Sequence, residues 1–167
     1  MPLAEFLQRN KAYTSRGEVT RDEIWRDSAR TLVITCSCPD LTNRIEPALG
    51  LKTGQACVVR IAGAWGGPEG EEVLRSVPLA MHLSNCTEVL VIGHDRCVYC
   101  PADQDQTRAG LKSAGFLDKL DDGGKRLLEA LRGPANPESG VRETVSMLRQ
   151  AGGLPKNTPG DIFRVSS

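Results

Sequence analysis

The chain has 167 residues, 40% hydrophobic and 25% charged, enough to bury one full core but short for two, so a single domain is expected. Lysine plus arginine (21) balance aspartate plus glutamate (21), which supplies no long-range field toward nucleic acid or an anionic membrane; a small neutral substrate fits as well as any other partner. The opening MPLAEFLQRNKAYTSRG lacks the apolar core of an export signal and no run approaches the roughly 18 residues of a membrane span, so a cytoplasmic protein with reduced thiols is expected.

Residues 1–30 are charged and weakly periodic, with Phe6, Leu7, Ile24 and Trp25 as scattered anchors, and read as an N-terminal helical arm. Thr31-Leu-Val-Ile-Thr35 is a β-branched run that ends abruptly in Cys-Ser-Cys-Pro; Pro39 cannot donate in a ladder, so a buried strand stops near Cys36. Ile45 to Leu51 has helical character, with Gly50 at a left-handed terminus. A second strand follows at Ala56 to Ile61, then a Gly-rich loop with Pro68, a helix over Glu71 to Leu83 despite Pro78, and a third strand at Glu88 to Gly93 that runs into His94. Further helices are expected around Gln106 to Leu131 and Glu138 to Gln150, broken at Gly123-Gly124 and Gly133-Pro134, before a last short strand at Ile162 to Val165. Strands alternating with helices predict an α/β fold with a mainly parallel central sheet, flanked by helices, whose ligands sit beyond the carboxyl ends of the strands.

Both chemically loaded segments fall at such ends. In a reducing compartment clustered cysteine and histidine point to metal rather than to disulfides. His94-Asp-Arg-Cys97 places two zinc-preferring ligands three residues apart just past a buried strand, a weak signal alone. Cys36 ends another strand and, in a parallel sheet, converges on the same crevice, giving two thiolates and one imidazole. Three protein ligands leave a fourth position for water, whose pKa zinc lowers toward about 7. The pattern therefore predicts hydration or hydrolysis chemistry.

Ile34-Thr-Cys36, Glu46, Ala48-Leu-Gly50, Arg60-Ile-Ala-Gly63, Leu74-Arg-Ser76 and Val91-Ile-Gly-His94-Asp-Arg-Cys97 resemble the successive blocks of short β-class carbonic anhydrases. The resemblance runs over residues 34–97 and weakens afterwards. It implies a β-carbonic-anhydrase-like domain spanning 1–167, with the arm at 1–30, a zinc-binding core at 31–100, and a helical region with a final strand at 101–167. It implies Zn²⁺ on Cys36, His94 and Cys97, reversible hydration of carbon dioxide or a related small neutral molecule by zinc-bound hydroxide, and a homodimer or dimer of dimers whose arm wraps a partner.

The family's first block reads Cys-x-Asp-x-Arg, whereas this chain reads Cys36-Ser-Cys38-Pro-Asp40. Starting at Cys36, Cys38 takes the aspartate's place and Asp40 the arginine's; starting at Cys38, Asp40 is restored and Thr42 replaces the arginine. The first register is preferred because Cys36 directly terminates the apolar strand. Cys38 is then a candidate fourth ligand, closing the tetrahedron with three sulfurs and one nitrogen, a set usual in structural sites. Cys100, in Cys97-Val-Tyr-Cys100, is a rival fourth ligand by its Cys-x-x-Cys spacing. Asp40 is the candidate catalytic carboxylate, able to orient water. Three functions stand open: a lyase, a non-catalytic relative with a closed structural zinc serving binding or sensing, and a thiol-based activity of Cys38 or Cys100. Cys57 reads as a small buried hydrophobe, Cys86 as packed or partly exposed, His82 as a surface or packing histidine, and Trp65 as lining a cavity or covering an interface.

Overall fold

The computed structural model describes residues 3–15, 31–52, 54–67, 70–100, 103–116, 133–152, 154 and the backbone of 162–165. Of the expected arm, residues 3–14 form helix α1 (Leu3–Thr14); 16–30 lie outside the described residues, as do 117–132 with the expected Gly123-Gly124 break. Four strands follow the predicted runs: β1 (Thr31–Cys36), β2 (Ala56–Ile61), β3 (Glu88–His94) and β4 (Ile162–Val165). They form one sheet in the order β2-β1-β3-β4 with every pairing parallel, as predicted for a single α/β domain.

β1 is buried along its whole length because both its faces are covered, which is why its sequence is a continuous apolar run rather than an alternation. On one face Leu32, Ile34, Val89 and Val91 pack against Val73 and Val77 of α3 (Glu71–Leu83) and Val141 and Leu148 of α5 (Pro137–Gln150). On the other, Val33 and Ile92 pack with Leu41 and with Ile45 of the one-turn helix α2 (Ile45–Ala48), together with Cys36, Cys38, Cys97 and Cys100. Each fully buried aliphatic side chain contributes roughly 1.5–3 kcal/mol.

The helices follow local chemistry. α5 starts on a reciprocal cap, the Asn136 side chain accepting from the Ser139 N–H while Ser139 Oγ accepts from the Asn136 N–H, with Pro137 in the first turn. α4 (Gln104–Ser113) is capped by Asp103, which accepts from the Gln106 N–H. α3 continues through Pro78, which removes one backbone bond, because Val73 and Val77 before it and Ala80 and Met81 after it pack against the core. Gly50 has φ 67° just past α2, the left-handed position expected of it. Gly93 lies where α5 meets β3; a Cβ there would stand 3.0 Å from Val141 Cγ2 and 3.3 Å from the Pro137 carbonyl oxygen. Its missing side chain lets the start of α5 close over the end of β3, next to His94.

Candidate metal centre

β1 and β3 are neighbours in register, Thr35 opposite Ile92, so Cys36 and His94 leave the sheet side by side. The chain after His94 turns sharply through Arg96, held at φ 52°, a left-handed conformation uncommon for a side chain of that size. That turn brings Cys97 back beneath the end of β3. After Cys36 the chain reverses at Cys38 into the short 3-10 turn Pro39–Leu41, with Pro39 at its first position and Leu41 buried as its anchor.

These two turns gather four donors. Cys36 Sγ, Cys38 Sγ, a ring nitrogen of His94 and Cys97 Sγ all lie within 4.8 Å of one another, and all four residues are buried. Cys36 Sγ stands 3.5 Å from Cys97 Sγ, and Cys38 Sγ 3.7 Å from Cys97 Sγ. A tetrahedral zinc with bonds of about 2.3 Å to sulfur separates its sulfurs by roughly 3.8 Å, so the spacing fits a shared cation and is far too long for a disulfide bond. His94 is 2% exposed, and among the described residues neither of its ring nitrogens has a hydrogen-bond partner. An imidazole stripped of water with both nitrogens orphaned is costly, and a metal bond to one of them removes much of that cost.

The surrounding backbone favours sulfur anions. Gly63 and Cys38 N–H groups donate to Cys36 Sγ at 3.3 and 3.4 Å. The Val98 N–H points at the Cys38 sulfur and the Tyr99 N–H at the Cys97 sulfur. Burial nevertheless pushes the Cys38 and Cys97 thiols up to about 12, with the neighbouring Cys36 sulfur adding to it. Thiolates crowded without a cation repel one another; a divalent ion at their centre reverses the sign, since coordination requires the thiolate. Three sulfurs and one nitrogen are a zinc-selecting set.

The other predicted site residues are also placed. Asp40 lies in the 3-10 turn, half-exposed, with Oδ2 3.7 Å from His94 Nδ1, beyond hydrogen-bond length. Cys100 is buried beside the cluster without joining its four donors; its backbone N–H donates to the Cys97 carbonyl at 3.0 Å, and burial raises its thiol. Its sulfur would lie 3.0 Å from a Cβ at Gly63, whose φ of 69° suits glycine and whose N–H serves Cys36. Arg60 donates to the Cys36 carbonyl at 3.4 Å and stands 3.8 Å from Glu46, tying the end of β1 to β2 and α2. Thr144 was not anticipated: its buried hydroxyl donates to the Ala64 carbonyl and accepts from the Gly66 N–H, pinning the loop after β2 to α5. Trp65 donates to Glu143 at 2.7 Å, His82 is exposed, and Arg75 pairs with Glu72 on the surface of α3.

Residues 31–151 match the family described as carbonic anhydrase. The candidate carbonic anhydrase YvdA of Bacillus subtilis is 28% identical over 162 residues, covering 94% of this chain and 82% of that protein. Among solved structures, β-carbonic anhydrase isoform I of Trichomonas vaginalis superposes with a TM-score of 0.81 at 22% identity, covering 99% of this chain and 93% of its own. The carbonic anhydrase of Streptococcus mutans gives 0.74 at 23% identity with the same coverage.

Proposed function

The chain belongs to the carbonic anhydrase family over residues 31–151, and from that premise we propose that it is a zinc-dependent hydratase of carbon dioxide or a related small neutral molecule such as carbonyl sulfide. Its resting metal is held by Cys36, Cys38, His94 and Cys97. The observation that carries this reading is the buried four-donor cluster with sulfur separations close to a zinc tetrahedron's edge. Zinc in such a setting supplies Lewis acidity, which makes hydroxide available from water near neutral pH once one position is free.

The chain's own residues divide the labour. Cys36 is the fixed donor, since it ends a strand, is fully buried and takes two backbone N–H groups on its sulfur. Cys97 is held against it by the turn at Arg96, and the Cys100 N–H donates to the Cys97 carbonyl at 3.0 Å. Cys38 stands outside the ladder, in the loop that reverses at Pro39, and is the donor whose withdrawal opens the site. Asp40 stands on the solvent side of His94, its Oδ2 3.7 Å from Nδ1, and is the nearby carboxylate that would orient water at the opened position. The chain is a homodimer or dimer of dimers, supported by Leu3, Phe6 and Leu7, which are exposed at helical spacing on one side of α1.

A second reading rests on the same cluster. If Cys38 never withdraws, three sulfurs and one nitrogen make a closed structural site on a family fold, serving binding or sensing. Stopped-flow carbon dioxide hydration by protein of verified zinc content, against Cys97→Ser, separates the two. A rate that tracks zinc content supports the hydratase. No zinc-dependent rate from neutral to alkaline pH eliminates it and leaves the structural site.

A further inference from the structure

The three sulfurs of the four-donor cluster are not held alike. Cys36 pairs with Ile61 at the end of the β1–β2 ladder, and the Ser37 N–H donates to the Ile61 carbonyl at 3.1 Å. The Cys36 sulfur also accepts the Gly63 and Cys38 N–H groups at 3.3 and 3.4 Å, which fix it and draw charge from it. Cys38 and Cys97 belong to turns instead. Cys38 precedes the turn Pro39–Leu41, between exposed Ser37 and exposed Pro39, and Cys97 follows the left-handed Arg96, between exposed Arg96 and exposed Val98. Their sulfurs stand 3.7 Å apart, with Cys38 2% and Cys97 5% exposed. Each thiol thus lies one residue beneath the surface, shielded from a bulky reagent but within reach of one only two heavy atoms long. Cys36 is slightly nearer to Cys97, at 3.5 Å, yet closing either gap to the roughly 2.05 Å of a disulfide asks a turn to move in one case and a strand end in the other.

We propose that Cys38 and Cys97 are a peroxide-sensitive pair, which hydrogen peroxide closes to a disulfide with loss of the metal and a thiol reductant reopens. The proposal rests on the four-ligand zinc centre of the proposed function, though not on any hydration activity. Cys38, the donor outside the ladder, reacts first. Its thiolate attacks one oxygen of the peroxide, an S–O bond forms, the O–O bond breaks, and the departing hydroxide takes up a proton to become water, leaving Cys38 as the sulfenic acid. The Cys97 thiolate then attacks the Cys38 sulfur; the S–S bond forms, the S–O bond breaks, and a second hydroxide leaves and is protonated. Two thiolates are oxidised to one disulfide and one peroxide is reduced to two waters. Cys36 and His94 are the ligands left, so zinc affinity falls by about 10⁴-fold, two even shares of a four-ligand site, and the ion departs. Two small thiols restore the pair by exchange, becoming one small disulfide themselves. An aspartate in place of Cys38 could not take part, so the sensitivity belongs to this chain's Cys36-Ser-Cys38 segment.

The test treats the full-length, zinc-loaded protein with hydrogen peroxide beside a chromogenic zinc chelator, quenches with iodoacetamide and maps tryptic peptides. Cleavage after Arg30, Arg44, Arg96 and Arg108 puts Cys38 in peptide 31–44 and Cys97 in peptide 97–108. Zinc release should keep pace with the joining of those two peptides, fragmentation should place the bond between Cys38 and Cys97, and dithiothreitol with added zinc should restore the starting protein. Oxidised glutathione, too large for the buried sulfurs, should release no zinc over the same time. In Cys38→Ser the link should be absent, and in Cys100→Ser it should form as in the wild type. Should a serine variant fold poorly, the wild-type map and its fragmentation decide alone. Zinc retained through peroxide treatment, release without the link, a bond on Cys36 or Cys100, a link that survives in Cys38→Ser, or release by oxidised glutathione as fast as by peroxide would overturn the proposal. A reduced chain that holds no zinc at all would overturn the metal centre and the switch together, whereas one that holds zinc and keeps it under peroxide overturns the switch alone.

Discussion

Replacing Cys38 by serine removes one sulfur from the cluster and leaves the turn at Pro39 intact, because the Cys38 side chain supplies no cap to that turn. The cost follows from how a closed site divides its binding energy. Structural zinc sites with four ligands bind with about 10–16 kcal/mol near pH 7, so an even share per ligand is about 3 kcal/mol, or roughly 100- to 1,000-fold in affinity. Cys38 Sγ lies 3.7 Å from Cys97 Sγ, so its share should be a full one. Chelator competition on Cys38→Ser should show that loss, and the zinc it retains should support faster carbon dioxide hydration than the wild type, since the withdrawn position is now permanently free. A loss of less than about tenfold would refute the placement of Cys38 on the metal. Full loss of affinity with no gain in rate would retain the ligand and refute its role as the one that withdraws.

Asp40→Asn removes the charge facing His94 Nδ1; half-exposed and 3.7 Å away, it should cost no more than about tenfold in zinc affinity by the same competition assay, and an unchanged affinity would remove Asp40 from the centre. Thr144→Val keeps the shape but leaves the Gly66 N–H and Ala64 carbonyl without the hydroxyl, so urea unfolding should show a loss of about 1–3 kcal/mol; a neutral effect would mean the loop has other partners. Gly93→Ala puts a methyl group 3.0 Å from Val141 and 3.3 Å from the Pro137 carbonyl, and should destabilise by about 1–3 kcal/mol and weaken zinc through the adjoining His94; wild-type stability would show that α5 can retreat freely.

Much of the fold was legible because its signals are local. Thr31 to Cys36 and Glu88 to His94 are unbroken apolar or β-branched runs, the mark of strands buried on both faces, and their ends fell at the expected residues. The Glu71 to Leu83 helix was readable through Pro78 because Val73, Leu74 and Val77 before it and Met81 after it keep helical spacing. The convergence of Cys36, His94 and Cys97 followed from parallel strands ending together. The choice between Cys36 and Cys38 did not, because two cysteines on either side of a chain reversal can both face one point, and a reversal at Cys38 is a backbone property that residue spacing does not encode. The fold gathers both sulfurs, so the two registers describe one site. Cys100 had the better-known spacing to Cys97, yet the turn that its N–H closes on the Cys97 carbonyl leaves its sulfur outside the four. Thr144 had no sequence signal at all, since its bonds join segments brought together only by the closed fold.

The most direct measurement is a crystal structure of the zinc-loaded protein with anomalous scattering collected across the zinc edge. The account predicts one peak per chain, about 2.3 Å from the sulfurs of Cys36, Cys38 and Cys97 and about 2.0–2.1 Å from a His94 nitrogen. A peak elsewhere, or one bound by three protein ligands with Cys38 turned away in the resting protein, would contradict it.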